Sequence, residues 1–243
     1  VTEERMSEDA CWERLRQVKT LYDPRDVYLR SRIFGRMPGW QRALLTRFER
    51  RWAQRTDAVI QVSEPYAEMT ARDLRLAPLP IVRNCPDRWD PPEPRPDRIR
   101  ELLGLPTTTR IVLYQGLFVV DRGIEQAMDA IVGIPDAVLV LMGFGNLEAH
   151  YRESAASARY AGHVHVIDAV PPQELLLWTA SSDVMVMLYQ PSTENHEFVT
   201  PQKLWEAMSA GVPVVASDLP GFRSIVPMVD CGVLVDPTDP AAV

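Results

Sequence analysis

Cysteine is scarce in this 243-residue chain: Cys11, Cys85 and Cys231 are odd in number and far apart. Neither a disulfide framework nor a Cys/His metal cluster follows from that spacing, so a reducing, intracellular setting is expected. Long apolar runs are missing too, and none approaches the roughly 18–20 residues a membrane-crossing helix needs. Basic residues run short in the second part. The first 100 positions hold 20 Lys and Arg against 16 Asp and Glu, the other 143 hold 6 against 17, and the chain totals −7. This excludes a broad nucleic-acid face on residues 101–243, because such faces neutralise many phosphates; no nucleic-acid partner is expected. A hydrophobic fraction of 46% with six Trp excludes general disorder. No signal peptide is evident. The chain opens at Val1 and stops within Asp239-Pro240-Ala241-Ala242-Val243, so both ends are read as cut.

Organisation follows proline. Pro86, Pro91, Pro92, Pro94 and Pro96 fall within eleven residues, and a ring that fixes φ and removes the backbone donor makes 86–96 an extended linker. After it, Val/Ile/Leu-rich runs at 111–114, 137–142, 164–167, 184–188, 213–216 and 233–235 alternate with helical spacing at about 122–133, 146–158, 172–181, 201–210 and 221–226. Near-continuous apolar strands alternating with helices predict an α/β domain over 97–243, a parallel sheet with helices on both faces. Upstream, 21–23, 58–63 and 81–83 predict strands. A helix is predicted over 40–55, with Trp40, Leu44, Phe48 and Trp52 four apart, and another after Ser63 as N-cap with Pro65 in its first turn. Three strands do not complete a doubly wound sheet, so 1–85 is read as the end of an incomplete Rossmann-like domain.

In an open parallel sheet, ligands bind beyond the carboxyl ends of the strands. Three such ends carry informative residues. Gly116 permits close backbone approach, and Arg122 opens the following helix; a plain turn with a solvated arginine is the bland alternative. Gly143-Phe144-Gly145 lacks the third glycine of a dinucleotide fingerprint, which falls at Glu148, so a tight turn near a ligand is favoured over nicotinamide binding. The third end is the most informative. Thr200 suits an N-cap, Pro201 the first helical position and Gly211 the C-terminal cap. The helix so framed offers free amides and the positive end of its dipole to an anion. Lys203 sits in its first turn, with Glu206 one turn deeper on the same face. A cation there suits a diphosphate, and the carboxylate suits a ribose diol; hydrogen bonds to charged groups contribute roughly 1.5–3 kcal/mol each. An ordinary Lys–Glu surface pair, worth about 0.2–0.5 kcal/mol, is the alternative.

Gln115-Gly116, Arg122-Gly123-Ile124, Gly143-Phe144-Gly145, Pro201-Gln202-Lys203-Leu204-Trp205-Glu206-Ala207-Met208 and Gly211 to Asp218 together resemble glycosyltransferase family 4. Cys231 to Pro237 fits as well, and 55–63 and 82–84 look like the end of that family's N-terminal domain. The resemblance covers about 20–243. It implies two facing Rossmann-like domains of GT-B type, with a nucleotide sugar held by the second as a substrate rather than a cofactor. It also implies sugar transfer with retention and without a metal, to a glycan, lipid or other acceptor, as in polysaccharide biosynthesis. By this resemblance Arg122 binds the donor diphosphate with Gly116, Thr200 and Lys203, and Glu206 holds the ribose. The donor-site loops would be Gly143, Gly145, Asn195, Glu197, Phe198 and Leu204. The family's first glutamate falls at Phe198; Asn195 and Glu197 lie nearby without aligning. Leu117 stands where another basic residue is usual. The catalytic residues would lie largely in missing sequence, so these 243 residues alone are expected to be inactive. A non-catalytic nucleotide-binding partner subunit and a sugar-nucleotide epimerase are the alternatives.

His150, His163, His165 and His196 form no base constellation in the sequence and are assigned structural or surface roles. Between Tyr28 and Arg55, eight arginines interleave with Tyr28, Phe34, Trp40, Phe48 and Trp52. Such a segment can lie on an anionic membrane from the cytoplasmic side. The competing reading is an aromatic stripe facing the core with a solvated arginine face.

Overall fold

A computed structural model describes residues 18–243; the expectation for Cys11 lies outside the described residues. Two compact units separate between Arg83 and Asn84.

In the first unit, β1 (Leu21–Tyr22) pairs in parallel with β2 (Ala58–Val59), and Gln61 bridges Ile81. Helices α1 (Arg32–Gly35), α2 (Gly39–Ala53) and α3 (Glu64–Leu74) accompany them. Phe34, Ala53, Val59 and Leu74 share a small core. Ser63 occupies the N-cap of α3 and Pro65 its first turn, but the Ser63 hydroxyl makes no capping bond. The helix expected at 40–55 forms as α2, yet Trp40, Leu44, Phe48 and Trp52 are exposed. Among the described residues, then, the stripe does not face the small core of this unit, where the competing reading places it. Its opposite, polar face makes the contacts: Tyr22 donates to Glu49 Oε1 at 2.9 Å, and Arg50 Nη2 donates to the Asp73 carbonyl at 2.9 Å.

The second unit begins with a run that forms no helix or strand, as its prolines require. It is nonetheless fastened down. Trp89 packs against the core, and Arg95 donates to the carbonyls of Ala180 at 2.7 Å and Ser182 at 3.2 Å. Helix α4 (Arg98–Leu103), which the apolar spacing did not announce, follows and buries Ile99 completely. Then β3 (Arg110–Leu117), α5 (Ile124–Ile131), β4 (Ala137–Phe144), α6 (Glu148–Ala156), β5 (Val164–Asp168), α7 (Leu175–Thr179) and β6 (Val184–Met187) alternate. After them come α8 (Glu194–Glu197), α9 (Gln202–Ser209), β7 (Val214–Ser217), α10 (Pro220–Arg223), α11 (Val226–Val229) and β8 (Gly232–Val235). The helix expected at 221–226 is thus two short ones.

All six strands of this unit are parallel, in the order β5-β4-β3-β6-β7-β8. Strand alternation divides the core between two faces. Tyr114, Leu139, Leu141 and Val186 meet Ile124, Met128 and Ile131 of α5. Ile111, Leu113, Val138 and Val140 meet Ile99, Leu175 and Trp178. The expected α/β sheet covered on both faces is present. Its order reverses between β3 and β6, the place where an open sheet leaves a crevice at its carboxyl edge.

At that edge β3 and β4 run side by side through Gly116 and Gly143. A Cβ on Gly143 would lie 1.9 Å from the Gly116 carbonyl oxygen, so the two strand ends tolerate no side chain there. Gly143→Ala is expected to destabilise the unit by about 3 kcal/mol, the upper end of overpacking costs. Gly133→Ala, whose Cβ would meet nothing nearer than 3.8 Å, should change stability little. Denaturant unfolding of both variants tests this; equal stability would remove the close approach as a constraint.

Candidate functional site

A cleft of about 370 Å³ opens at the carboxyl ends of β3 and β4. Gly116, Arg122, Gly143, Lys203 and Glu206, expected from three separated stretches of sequence, all line it. The parallel sheet is the reason: it delivers every strand end, and the helix start that follows, to the same edge.

Lys203 reaches back from the first turn of α9 over β3. Its Nζ lies 4.3 Å from the centre of the Tyr114 ring and 5.7 Å from that of Tyr189. Gly116, at φ +130°, makes room, since a Cβ there would come within 3.0 Å of Nζ. Arg122 lies over the other ring, its Cζ 4.4 Å from the centre of Tyr189. Neither cation has a carboxylate within ion-pair distance among the described residues. Ring faces attract cations electrostatically, by roughly 0.5–2 kcal/mol depending on exposure, and leave the charge unneutralised. Desolvation, with Arg122 adding like-charge repulsion against the pull of Glu206, lowers the Lys203 pKa to about 7.

Glu206 is buried and accepts a 2.6 Å hydrogen bond from Gln115 Nε2. Gln115 is itself oriented by Thr179 Oγ1, which donates to Gln115 Oε1 at 2.8 Å. Burial pushes the Glu206 pKa up, while the Gln115 bond and Lys203 oppose the rise. The carboxyl thus keeps one oxygen committed to Gln115 and lines the cleft beside Lys203.

Arg122 belongs to the turn before α5 rather than to the helix, between Asp121 at φ +65° and Gly123 at φ +67°. His196 meets it: Arg122 Nη1 lies 3.3 Å from His196 Nε2. His196 Nδ1 lies 3.0 Å from Ser192 Oγ, which donates to Asp121 Oδ2 at 2.9 Å. An arginine donating to Nε2 assigns the ring proton to Nδ1, so donors run from Arg122 to His196 and from His196 through Ser192 to Asp121. The structural or surface role expected for His196 omits this contact. Asp121-Arg122 and Ser192 to His196 are some seventy residues apart, and no spacing pattern joins them. Tyr114, Gln115 and Tyr189 were likewise unmarked as partners of the cations and of Glu206.

Other expected positions fall elsewhere. Thr200 is not the N-cap; Pro201 takes that position with extended φ and ψ, and the helix begins at Gln202. The buried Thr200 hydroxyl has no hydrogen-bond partner. Leu204 is a fully buried core residue, because the α9 face turned toward the sheet runs through Leu204 and Ala207. Gly145, at φ +153°, packs its Cα against the Phe118 backbone in the turn after β4. Asn195 and Glu197 lie on α8 and Phe198 at its C-cap; none of the three lines the cleft. No group of three or more His, Cys, Asp or Glu among the described residues could hold a metal. No described helix is long and apolar enough to cross a membrane.

Residues 96–243 match the family model described as glycosyl transferases group 1. A D-inositol 3-phosphate glycosyltransferase of Xylanimonas cellulosilytica is 32% identical over 165 residues, which is 64% of this chain and 38% of that protein. A phosphatidyl-myo-inositol mannosyltransferase of Mycobacterium leprae is 31% identical over 147 residues, 58% of this chain and 37% of that protein. The chain therefore spans under two fifths of the length of these relatives. Among solved structures, the sucrose-phosphate synthase of Thermosynechococcus elongatus superposes with a TM-score of 0.71 at 22% identity. That match covers 96% of this chain and 59% of the other. Anabaena Alr3699/HepE in complex with UDP and glucose gives a TM-score of 0.71 at 16% identity, covering 96% and 63%. These likenesses show the GT-B fold.

The desolvated lysine has a measurable cost. In the unfolded chain its pKa is the ordinary 10.5, and in the folded one about 7. The unfolded state therefore binds the extra proton between those values, and stability from this group rises with pH across that window. Lys203→Met should be more stable than the parent at pH 6, with the margin shrinking by pH 9. Denaturant titration at both pH values measures it; a margin that does not change would contradict the desolvated cation.

Proposed function

The chain belongs to the glycosyl transferases group 1, and on that premise we propose that it serves a retaining transferase. In this reading it holds a nucleoside-diphosphate sugar in the strand-end cleft of the second unit and passes the sugar to a glycan or lipid-linked acceptor. One observation carries the reading: two cations without carboxylate partners among the described residues, set against ring faces beside a buried carboxylate at the carboxyl edge of a parallel sheet. An anion-binding site needs charge that the protein has not already neutralised.

Arg122 and Lys203 bind the diphosphate, with Gly116 and the start of α9 near Pro201 and Thr200 allowing close approach. Glu206, oriented by Gln115, accepts from the ribose hydroxyls. As the bond from the anomeric carbon to the diphosphate oxygen breaks, negative charge grows on the leaving group. Preorganised cations aimed at it are the largest catalytic contribution such a site can make. No nucleophile of the chain is assigned: the acceptor hydroxyl attacks from the face the diphosphate leaves. Its oxygen bonds to the anomeric carbon and its proton passes to the departing diphosphate oxygen, while the two cations supply the positive charge without a metal. Phe198 stands where the family's first glutamate falls, so the sugar itself is held by other groups; of the expected loop residues Gly143 lines the cleft, and Asn195, Glu197 and Gly145 do not. In this reading the transfer takes place in the cytoplasm, with the inner face of the membrane as the site where a lipid-linked acceptor would be met. Phe198 also supports a second reading, a nucleotide-binding partner subunit without transfer activity.

Calorimetric titration with UDP, GDP and ADP tests the donor site. At least one should bind, and Arg122→Ala and Lys203→Met should each weaken it about tenfold or more, as loss of a charged hydrogen bond does. Glu206→Gln should weaken the nucleotide but leave inorganic pyrophosphate unaffected. Failure of all three nucleotides to bind would overturn the assignment. Binding by the full-length protein without transfer or donor hydrolysis would select the partner subunit.

A further inference from the structure

Arg122 has to be held in the cleft without an acid. Its side chain is long and rich in rotamers. The face of Tyr189, 4.4 Å from Arg122 Cζ, attracts the guanidinium but gives it no preferred direction. The backbone beneath is fixed more firmly. A Cβ on Gly123 would lie 2.1 Å from the Leu188 carbonyl oxygen, so the turn before α5 lies against the chain just past β6. Two hydrogen bonds tie that turn to the same loop. The Gln190 backbone N–H donates to the Asp121 carbonyl at 3.1 Å, and Ser192 Oγ donates to the Asp121 carboxylate. What the guanidinium still needs is a directional partner. His196 supplies one, with Nε2 3.3 Å from Arg122 Nη1.

A neutral imidazole suits this place better than a carboxylate. It accepts one N–H of the guanidinium and leaves the positive charge and the remaining donors for an anion. An open lone pair on Nε2 of a neutral ring requires the proton on Nδ1, and the partner of Nδ1 decides which nitrogen carries it. Here Nδ1 lies 3.0 Å from Ser192 Oγ, whose own proton is committed to Asp121. The acid thus orders the ring through Ser192 while the ring, not the acid, meets Arg122. The ring is held from two further sides. It stands edge to face with Tyr189, centroids 5.9 Å apart and planes at 79°, and the His196 backbone N–H donates to Thr193 Oγ1 at the N-cap of α8. Tyr189 therefore touches both the cation and its acceptor.

Resting on the donor-site reading only for what the charge meets, we propose that His196 is the positioning residue of Arg122. With Ser192 and Asp121 behind it, the neutral ring aims the guanidinium at the cleft and leaves its charge for a diphosphate. A packing role alone would need the ring but not its nitrogen.

Two variants separate the ring from its nitrogen. His196→Phe keeps a ring beside Tyr189 without an acceptor, and His196→Gln keeps a neutral acceptor without a ring. Inorganic pyrophosphate, and whichever of UDP, GDP and ADP binds the parent, should bind His196→Phe about tenfold more weakly, the size of a lost charged hydrogen bond. His196→Gln should recover most of that loss. In an Arg122→Ala background, His196→Phe should change nothing further, as two residues acting through one contact require. Parental affinity in His196→Phe, a His196→Gln no better than it, or the full effect persisting without Arg122 would overturn the proposal. Imidazole nitrogen NMR reads the same arrangement with no ligand present. It should show His196 protonated at Nδ1 in the parent and released to the Nε2–H form in Arg122→Ala. An Nε2–H ring in the parent, or a ring that Arg122→Ala leaves unchanged, would overturn it as well. If neither pyrophosphate nor any nucleotide binds the parent, the donor-site reading falls while the nitrogen spectrum still decides the role of His196.

Discussion

Everything at the carboxyl edge of the second unit turns on keeping two positive charges together without an acid to cancel them. Desolvation, with repulsion from Arg122 adding to it, lowers the Lys203 pKa to about 7. The fold offsets this with aromatic faces: Tyr189 receives Arg122, and Tyr114 receives Lys203. A carboxylate pair would hold the cations more cheaply and would also consume the charge that an anionic ligand needs. Glu206 is close enough to favour the charged lysine, but it is tethered to Gln115 and keeps its distance as a separate group. The parallel sheet makes the arrangement reachable, since β3 carries Tyr114 to Gly116, the turn after it carries Arg122, and the helix before β7 carries Lys203 and Glu206.

The strands of the second unit were legible because each centres on a short Val/Ile/Leu run, most fully buried in β3, β4 and β6. The parallel direction of the sheet, though not its order, followed from alternation with helices. The strand-end residues were legible because a parallel sheet gathers its carboxyl ends whatever the loops do. What the chain concealed has physical causes. Periodicity gave Trp40, Leu44, Phe48 and Trp52 a common face but carries no sign, so it could not say whether that face looked inward. Thr200 is a good capping residue by type, yet Pro201 is itself in the extended conformation of a cap, and the helix starts one residue later. Leu204 sits between two cleft residues in sequence, but a helix turns by 100° per residue and sends it into the core. Contacts such as Arg122 to His196 join loops distant in sequence, and a single chain offers no trace of them.

Phe198 marks where this chain departs from the family it belongs to. It caps α8 and packs its backbone against Gly221, where a Cβ would come within 2.7 Å of the Phe198 carbonyl carbon. In the proposed reading the two cations that would meet the phosphates do not depend on it, and the sugar would be held by groups other than a glutamate at this position. The two units thus divide the work by charge. The second spends few basic residues and places two of them in the cleft, while the first carries many on a surface with an outward aromatic row.

The central claim, that Lys203 meets a diphosphate, is tested most directly by counting protons. A lysine with a pKa near 7 is largely neutral at pH 8 and should take up a proton when an anion arrives beside it. Calorimetry of nucleoside-diphosphate binding at pH 8, in two buffers of different ionisation enthalpy, should show an uptake approaching one proton for the parent and none for Lys203→Arg. Tight binding with no proton uptake by the parent would contradict the account.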